Sequence, residues 1–321
     1  MLPRLGMVLA GMLLVQGFVG AQDTPPAIKV GVVTDNASES WKTFRNSLLS
    51  DGPAMGLNID FRATSPGTMD QQRAAVEQLL AADVKVLVIC PVDPVKQVDF
   101  FQYVTNKVPV ILLLKDIPGC SRVGCIGPDN KEVGKKMAEA VAKCVPGGMK
   151  IAVFAADAKS PEEQARMAGL EEGVTPLDMI IDVVKEDHGD LGLAVSNVQG
   201  ILAKRPEIAG YIGFQPYHAV SILKMAEAYK RDGIIGIVGY GDSPELKEAF
   251  AKGHINGIVK PDITDLAKLT LAAAKSTVTQ DGSFAWPENK YVHSALVTEL
   301  SRKTMGVKEQ LNAISGGWTP E

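Results

Sequence analysis

The stretch KVLVICPVDP, from Lys85 to Pro94, constrains this chain more than any other. Val86 to Cys90 is an unbroken apolar run with no polar alternation. That is the pattern of a strand buried on both faces, as in a parallel sheet covered by helices. The run stops at Pro91-Val92-Asp93-Pro94. Neither proline can extend a central strand, and Pro94 suits the first turn of a following helix. Ligands of open parallel sheets sit beyond the carboxyl ends of the strands, so this turn marks one rim of a candidate site.

The flanking segments repeat the theme. Strands are expected over 28–33, 57–61, 110–114 and 123–126, alternating with helices over 41–55, 69–82, 95–106 and 131–144. After Pro146-Gly147-Gly148 the series restarts, with strands over 150–155, 179–184, 210–214, 234–238 and 255–259 and helices over 161–173, 191–204, 219–231 and 244–252. A long helix over 263–277, a late strand over 291–297 and a terminal helix over 301–314 complete the chain. Two β-α series imply an α/β protein of two similar lobes, each a parallel sheet sandwiched by helices. The length of 321 residues suits that division.

The amino terminus reads as a targeting segment. Arg4 precedes a run from Leu5 to Val19 that is apolar apart from Gln16, and Val19-Gly20-Ala21 offers small residues for cleavage before Gln22. The run is short for a membrane span, so an export signal is expected over 1–21 and a periplasmic mature protein after it. Net charge is −4 without a basic block, so a nucleic-acid partner has no electrostatic footprint. Four cysteines are present. Export permits disulfides, and Cys120 and Cys125, flanking a four-residue loop, are the expected pair. No metal or cofactor is expected: there is no P-loop, no dinucleotide fingerprint and no zinc spacing. No nucleophile elbow or other enzyme motif is present either.

Strand ends supply the candidate ligand residues. Asn36 and Trp41 follow the first strand, Trp41 either facing a sugar ring or packing into the core. Asp93 lies in the opening turn, where it contacts ligand or caps the next helix. Lys115 and Asp116 follow the fourth strand. In the second series Arg166, early in a helix, is suited to grip hydroxyls or a carboxylate with parallel bonds. His188, Gln215, Tyr217, Tyr240 and Asp242 also fall at strand ends.

With these residues in hand, the chain resembles the periplasmic sugar-binding proteins of ABC transporters close to ribose-binding protein. The resemblance spans about 28–297 and rests on Lys85 to Asp93, on Val108-Pro109-Val110-Ile111, on Gly127-Pro128-Asp129-Asn130 with Gly134, and on Val238-Gly239-Tyr240 with Asp242-Ser243-Pro244. It implies two lobes joined by three crossings, near Gly127, Lys260 and Asn289, closing around one solute. The lobes would comprise 22–127 with 261–289 and 128–260 with 290–300, followed by a terminal helix and tail over 301–321. By resemblance Trp41 is the stacking aromatic, Arg166 the hydroxyl-gripping arginine, Gln215 stands for an Asn, and Lys260 or Pro261 falls where Gln is usual.

The family's acidic partner after the fourth strand is missing, as Leu114-Lys115 occupies the place of Asp-Arg, and Gly241 replaces an Asp. A cleft holding Lys115, Arg166 and Lys260 without balancing carboxylates would favour an acidic or modified sugar. The expected function is capture of a sugar or related solute and delivery to an ABC permease, by a monomer. A sensor presenting bound sugar to a receptor or membrane kinase, and a secreted carbohydrate-active enzyme, are the alternatives.

Overall fold

The computed structural model describes residues 27–301. The expected export signal, and the terminal helix and tail beyond Ser301, lie outside these residues. The first lobe begins with β1 (Ile28–Val33), α1 (Glu39–Asp51), β2 (Leu57–Arg62), α2 (Met69–Ala81), β3 (Val86–Ile89), α3 (Val98–Thr105), β4 (Val110–Leu113) and β5 (Gly124–Pro128). The second contains α4 (Asn130–Cys144), β6 (Lys150–Ala155), α5 (Pro161–Val174), β7 (Ile180–Glu186), α6 (Leu191–Lys204), β8 (Ile208–Gly213), α7 (Pro216–Ala228), β9 (Gly236–Tyr240), α8 (Pro244–Ala251) and β10 (Gly257–Pro261). The chain then returns through α9 (Ile263–Thr279) and β11 (Tyr291–Ser294) before β12 (Leu296–Leu300).

These strands form two six-stranded sheets, ordered β11-β5-β4-β3-β1-β2 and β12-β10-β9-β8-β6-β7. All pairings are parallel except β12 with β10. The apolar run of β3 is buried throughout. Its alternate residues face opposite sides, as the pleat requires. Val86 and Val88 pack in the core with Phe44 and Leu48 of α1 and Leu271 of α9, while Leu87 and Ile89 pack with Leu79 of α2 and Phe101 of α3. A continuous apolar strand thus serves two cores at once.

Helix α3 starts at Val98, later than expected. Asp93 accepts hydrogen bonds from the backbone of Val95 and Lys96, at 3.1 and 3.0 Å, and holds Pro94–Gln97 as a turn. The opening stretch is further tied down by Gln72, fully buried on α2. Its amide donates to the Cys90 carbonyl at 2.8 Å and accepts from Val92 N–H and from Gln97 Nε2, at 3.2 and 2.9 Å. Buried polar groups at the strand end are therefore paired, as their burial demands.

Chain crossings between lobes fall at Pro128–Asn130, Pro261–Ile263 and Ser294–Leu296. The last differs from the expected position near Asn289. The single late strand splits at Ala295, so β11 joins the first lobe's sheet and β12 the second's. Ala295 donates its N–H to Asp265 Oδ2 at 2.7 Å, and its carbonyl accepts from Asp262 N–H at 2.8 Å. An apolar pattern does not state which of two sheet edges a strand will pair with, so this switch is a tertiary outcome.

The expected Cys120–Cys125 bond is absent. All four cysteines are free and buried. Cys120 and Cys125 belong to the same core cluster as Ile117 and Phe101, so they serve as small apolar residues.

Candidate functional site

Strand ends of both sheets face each other across a cleft of about 470 Å³. Its first-lobe wall includes Asp35, Asn36, Trp41, Leu114 and Lys115, and its second-lobe wall Glu162, Glu163, Arg166, Gln215, Tyr240 and Asp242. Of the residues expected from sequence, Asn36, Trp41, Lys115, Arg166, Gln215, Tyr240 and Asp242 come together here.

Trp41 is 4% exposed, so it belongs to the core as much as to the cleft. Its ring meets Phe44 edge-on, and its indole N–H donates to Asp35 Oδ1 at 2.9 Å. Asn36 donates its amide to the same oxygen at 2.9 Å. The other oxygen of Asp35 accepts from Lys115 Nζ at 2.9 Å. Lys115 is aimed there by a γ-turn: its N–H bonds to Leu113 O at 2.7 Å, and Leu114 takes a φ of 62°. The same ammonium donates to the carbonyls of Pro91 and Val92, at 3.0 and 3.4 Å. Burial works against its charge, but neighbouring Cys90 and the Asp35 carboxylate outweigh that and hold it above the usual lysine range.

Arg166 is placed by helix contact. Helices α4 and α5 approach so closely that a Cβ on Gly134 would lie 2.0 Å from Arg166 O, and one on Gly169 1.9 Å from Lys131 O. Only glycine allows that approach. The guanidinium then donates from Nε to Asn130 Oδ1 at 2.8 Å and from Nη1 to Phe214 O at 2.6 Å, and stacks 4.0 Å from the Tyr240 ring centroid. Its Nη2 has no partner among the described residues and remains free to donate.

Beside it, Glu163 is 3% exposed and accepts from the backbone N–H groups of Ala156 and Asp157, at 3.2 and 2.9 Å, and from Gln215 Nε2 at 2.7 Å. Gln215 is held in turn by His218, whose Nδ1 accepts the Gln215 N–H at 3.1 Å. That bond leaves the proton on His218 Nε2, which donates to buried Asp187 at 2.5 Å, while Tyr217 donates its hydroxyl to the other oxygen at 2.7 Å. His218 and Asp187 are each 1% exposed, so this trio is scaffolding behind the cleft wall.

Five expected residues stand outside, Tyr217 being the one already placed on Asp187 behind the wall. Asp93 caps the turn after β3 and pairs with Lys96 at 3.0 Å. Asp116 is clamped by Arg122 and faces a second chamber. His188 is exposed in a turn with φ 52°. Lys260 is ion-paired with Glu299 across β10 and β12.

The expected cationic cleft is corrected too. Asp35, Glu162, Glu163 and Asp242 outnumber Lys115 and Arg166 along the lining. Lys115 already spends its three protons on Asp35, Pro91 and Val92. Asp35 and Glu163 were missed for different reasons. Asp35 sits next to Asn36 at the end of β1, where strand-end logic could have found it. Glu163 lies within a helix and carries no strand-end signal, and its burial against Gln215 needed the fold.

Two α/β lobes, crossed three times by the chain and walled by polar strand-end side chains, define a two-lobed binding protein. The chain belongs to the periplasmic binding protein domain family, whose model matches residues 30–281. Among curated proteins it is 20% identical over 207 residues to a D-ribose/D-allose-binding protein of Pseudomonas aeruginosa, a match covering 61% of this chain and 65% of that protein's length. Among solved structures it is similar to an arabinose binding protein from Geobacillus stearothermophilus, with TM-score 0.75, 16% identity and coverage of 87% of this chain and 98% of the other. A glucose-galactose binding protein from the same organism aligns with TM-score 0.70, 19% identity and coverage of 85% and 97%. A solute-binding protein from Actinobacillus succinogenes, solved with bound D-allose, aligns with TM-score 0.69, 15% identity and coverage of 86% and 99%.

Proposed function

We propose that this protein binds a neutral, hydroxyl-rich sugar between its lobes and hands it to an ABC-type permease. The carrying observation is the pairing of carboxylates, an amide and one guanidinium from both lobes around a single cleft, with Trp41 and Tyr240 beside them. Carboxylates accept from hydroxyls, and Arg166 Nη2 donates to them. The cleft volume lies within the range of about 300–1,000 Å³ typical of small-molecule sites. Excess carboxylate along the lining disfavours an anion. Donors and acceptors come from two lobes, so the full bond set forms only in the closed arrangement, and closure and affinity share one free energy. The expected export segment and the sugars named for the relatives support the periplasmic transport reading.

A thermal-shift and calorimetric panel tests it, with D-ribose, D-allose, D-arabinose, D-glucose and D-galactose beside the corresponding sugar acids. The expected result is stabilisation by at least one neutral sugar, with weak or no response to the acids. A response to acids alone overturns the neutral reading, and silence from the whole panel overturns the sugar reading. Sugar recovered unchanged after prolonged incubation is expected of a carrier; a product in the mass spectrum would make the protein an enzyme.

A further inference from the structure

A second chamber of about 720 Å³ adjoins the first and shares Pro94, Ser160 and Glu162 with it. Its walls differ in chemistry. Val95, Val98, Ile117 and Pro118 come from the first lobe, and Pro161 and Ala165 from the second. The carboxylates at its edge are already engaged. Asp116 accepts from Arg122 and from Ile117 N–H, Asp129 from Lys131 and Glu132 N–H, and Asp157 from Lys159 N–H. Glu162 stands at the junction of the two chambers and has no hydrogen-bond or ion-pair partner among the described residues.

We propose that the two chambers form one composite site for a glycoside: a sugar in the polar cleft carrying an apolar alkyl or aryl substituent in the second chamber. This rests on the sugar reading above and narrows it. The polar cleft supplies acceptors and a guanidinium for ring hydroxyls, Glu162 accepts from a hydroxyl near the linkage, and the neighbouring walls offer apolar contact, with Lys159 and His293 also on the lining. Transfer of an aromatic or alkyl group from water onto such walls is favourable in proportion to the area covered. A bare monosaccharide would leave the larger chamber filled with solvent.

The experiment compares methyl and phenyl glycosides of D-ribose, D-allose, D-arabinose, D-glucose and D-galactose, in both anomers, by calorimetry on the whole protein. For at least one sugar the phenyl glycoside is expected to bind at least about tenfold tighter than the methyl glycoside, roughly the gain from burying part of a phenyl ring. Val95 is 81% exposed, so Val95→Asp leaves the fold intact. That variant and Ala165→Phe, which fills the chamber, are expected to erase the phenyl gain while free-sugar affinity stays unchanged. Phenyl glycosides binding no tighter than methyl glycosides, while free sugars bind, overturn the composite site. A disaccharide gaining more than the phenyl glycoside overturns the apolar class of substituent. Failure of every sugar and glycoside overturns the sugar reading itself, and the composite site with it.

Discussion

Lys115 and Asp35, 80 residues apart in sequence, meet at 2.9 Å above the carboxyl ends of β4 and β1. The contact spans the end of β3, which lies between those strands, and Lys115 also holds the Pro91 and Val92 carbonyls of its turn. The lysine therefore ties the ends of three adjacent strands together at the cleft floor.

Replacing Lys115 by Met strips one partner from Asp35 and from two backbone carbonyls. A loss of about 1–3 kcal/mol is expected in urea unfolding. Adding Asp35→Asn should recover part of it, because paired groups couple. Strict additivity of the two single variants would count against the pairing.

Arg166→Lys keeps the charge but loses the planar fork, the bond to Asn130 and the stack on Tyr240. Lysine is not equivalent at a stacked, multiply bonded site. Sugar affinity, measured by calorimetry, is expected to fall by about 1.5–3 kcal/mol, roughly 10- to 150-fold. Wild-type affinity in the variant would remove Arg166 from ligand binding.

Asp187 contributes to acid stability. Burial pushes its carboxyl up, but the bonds from His218 and Tyr217 win and hold it below the ordinary aspartate range. A carboxyl depressed in the folded state stabilises above its unfolded value of about 3.9, and that contribution disappears as pH falls through the folded value. Tyr217→Phe removes one donor and raises the folded value. The acid unfolding midpoint, followed by circular dichroism, should therefore move to higher pH in the variant. An unchanged or lower midpoint would show that the hydroxyl does not stabilise the carboxylate.

The cysteines offer a direct count. Burial raises all four thiols above their usual range, Cys144 to about 12. Native protein should react slowly with a thiol reagent, because the thiolate is the reactive form. Denatured without reductant, it should yield four thiols, the number in the chain. A yield of two would reinstate a Cys120–Cys125 bond.

Much of the architecture was legible because it is written locally. The run from Val86 to Cys90 announces a strand with two covered faces, and Ser160-Pro161 ahead of two glutamates announces the start of α5. Strand-end logic placed Asn36, Trp41, Lys115, Arg166, Gln215, Tyr240 and Asp242 along the cleft. The family resemblance failed for Lys260, whose partner Glu299 lies on a strand assigned to the correct sheet only by pairing. It also failed for the charge of the site, since Glu163 finds Gln215 across 52 residues of chain.

Apolar periodicity, prolines and caps are properties of neighbouring residues, and they suffice for two parallel α/β lobes and for the rim where ligand should sit. Which side chains on that rim stay free is a property of distance in space. Lys115 is consumed by Asp35, Asp116 by Arg122 and Gln215 by Glu163, while Arg166 Nη2 and Glu162 keep unused bonding capacity. Those pairings arise only after the strands are ordered and the lobes are joined, because a charge interacts strongly only with groups a few ångströms away. They turn an expected cationic cleft into one lined by acceptors.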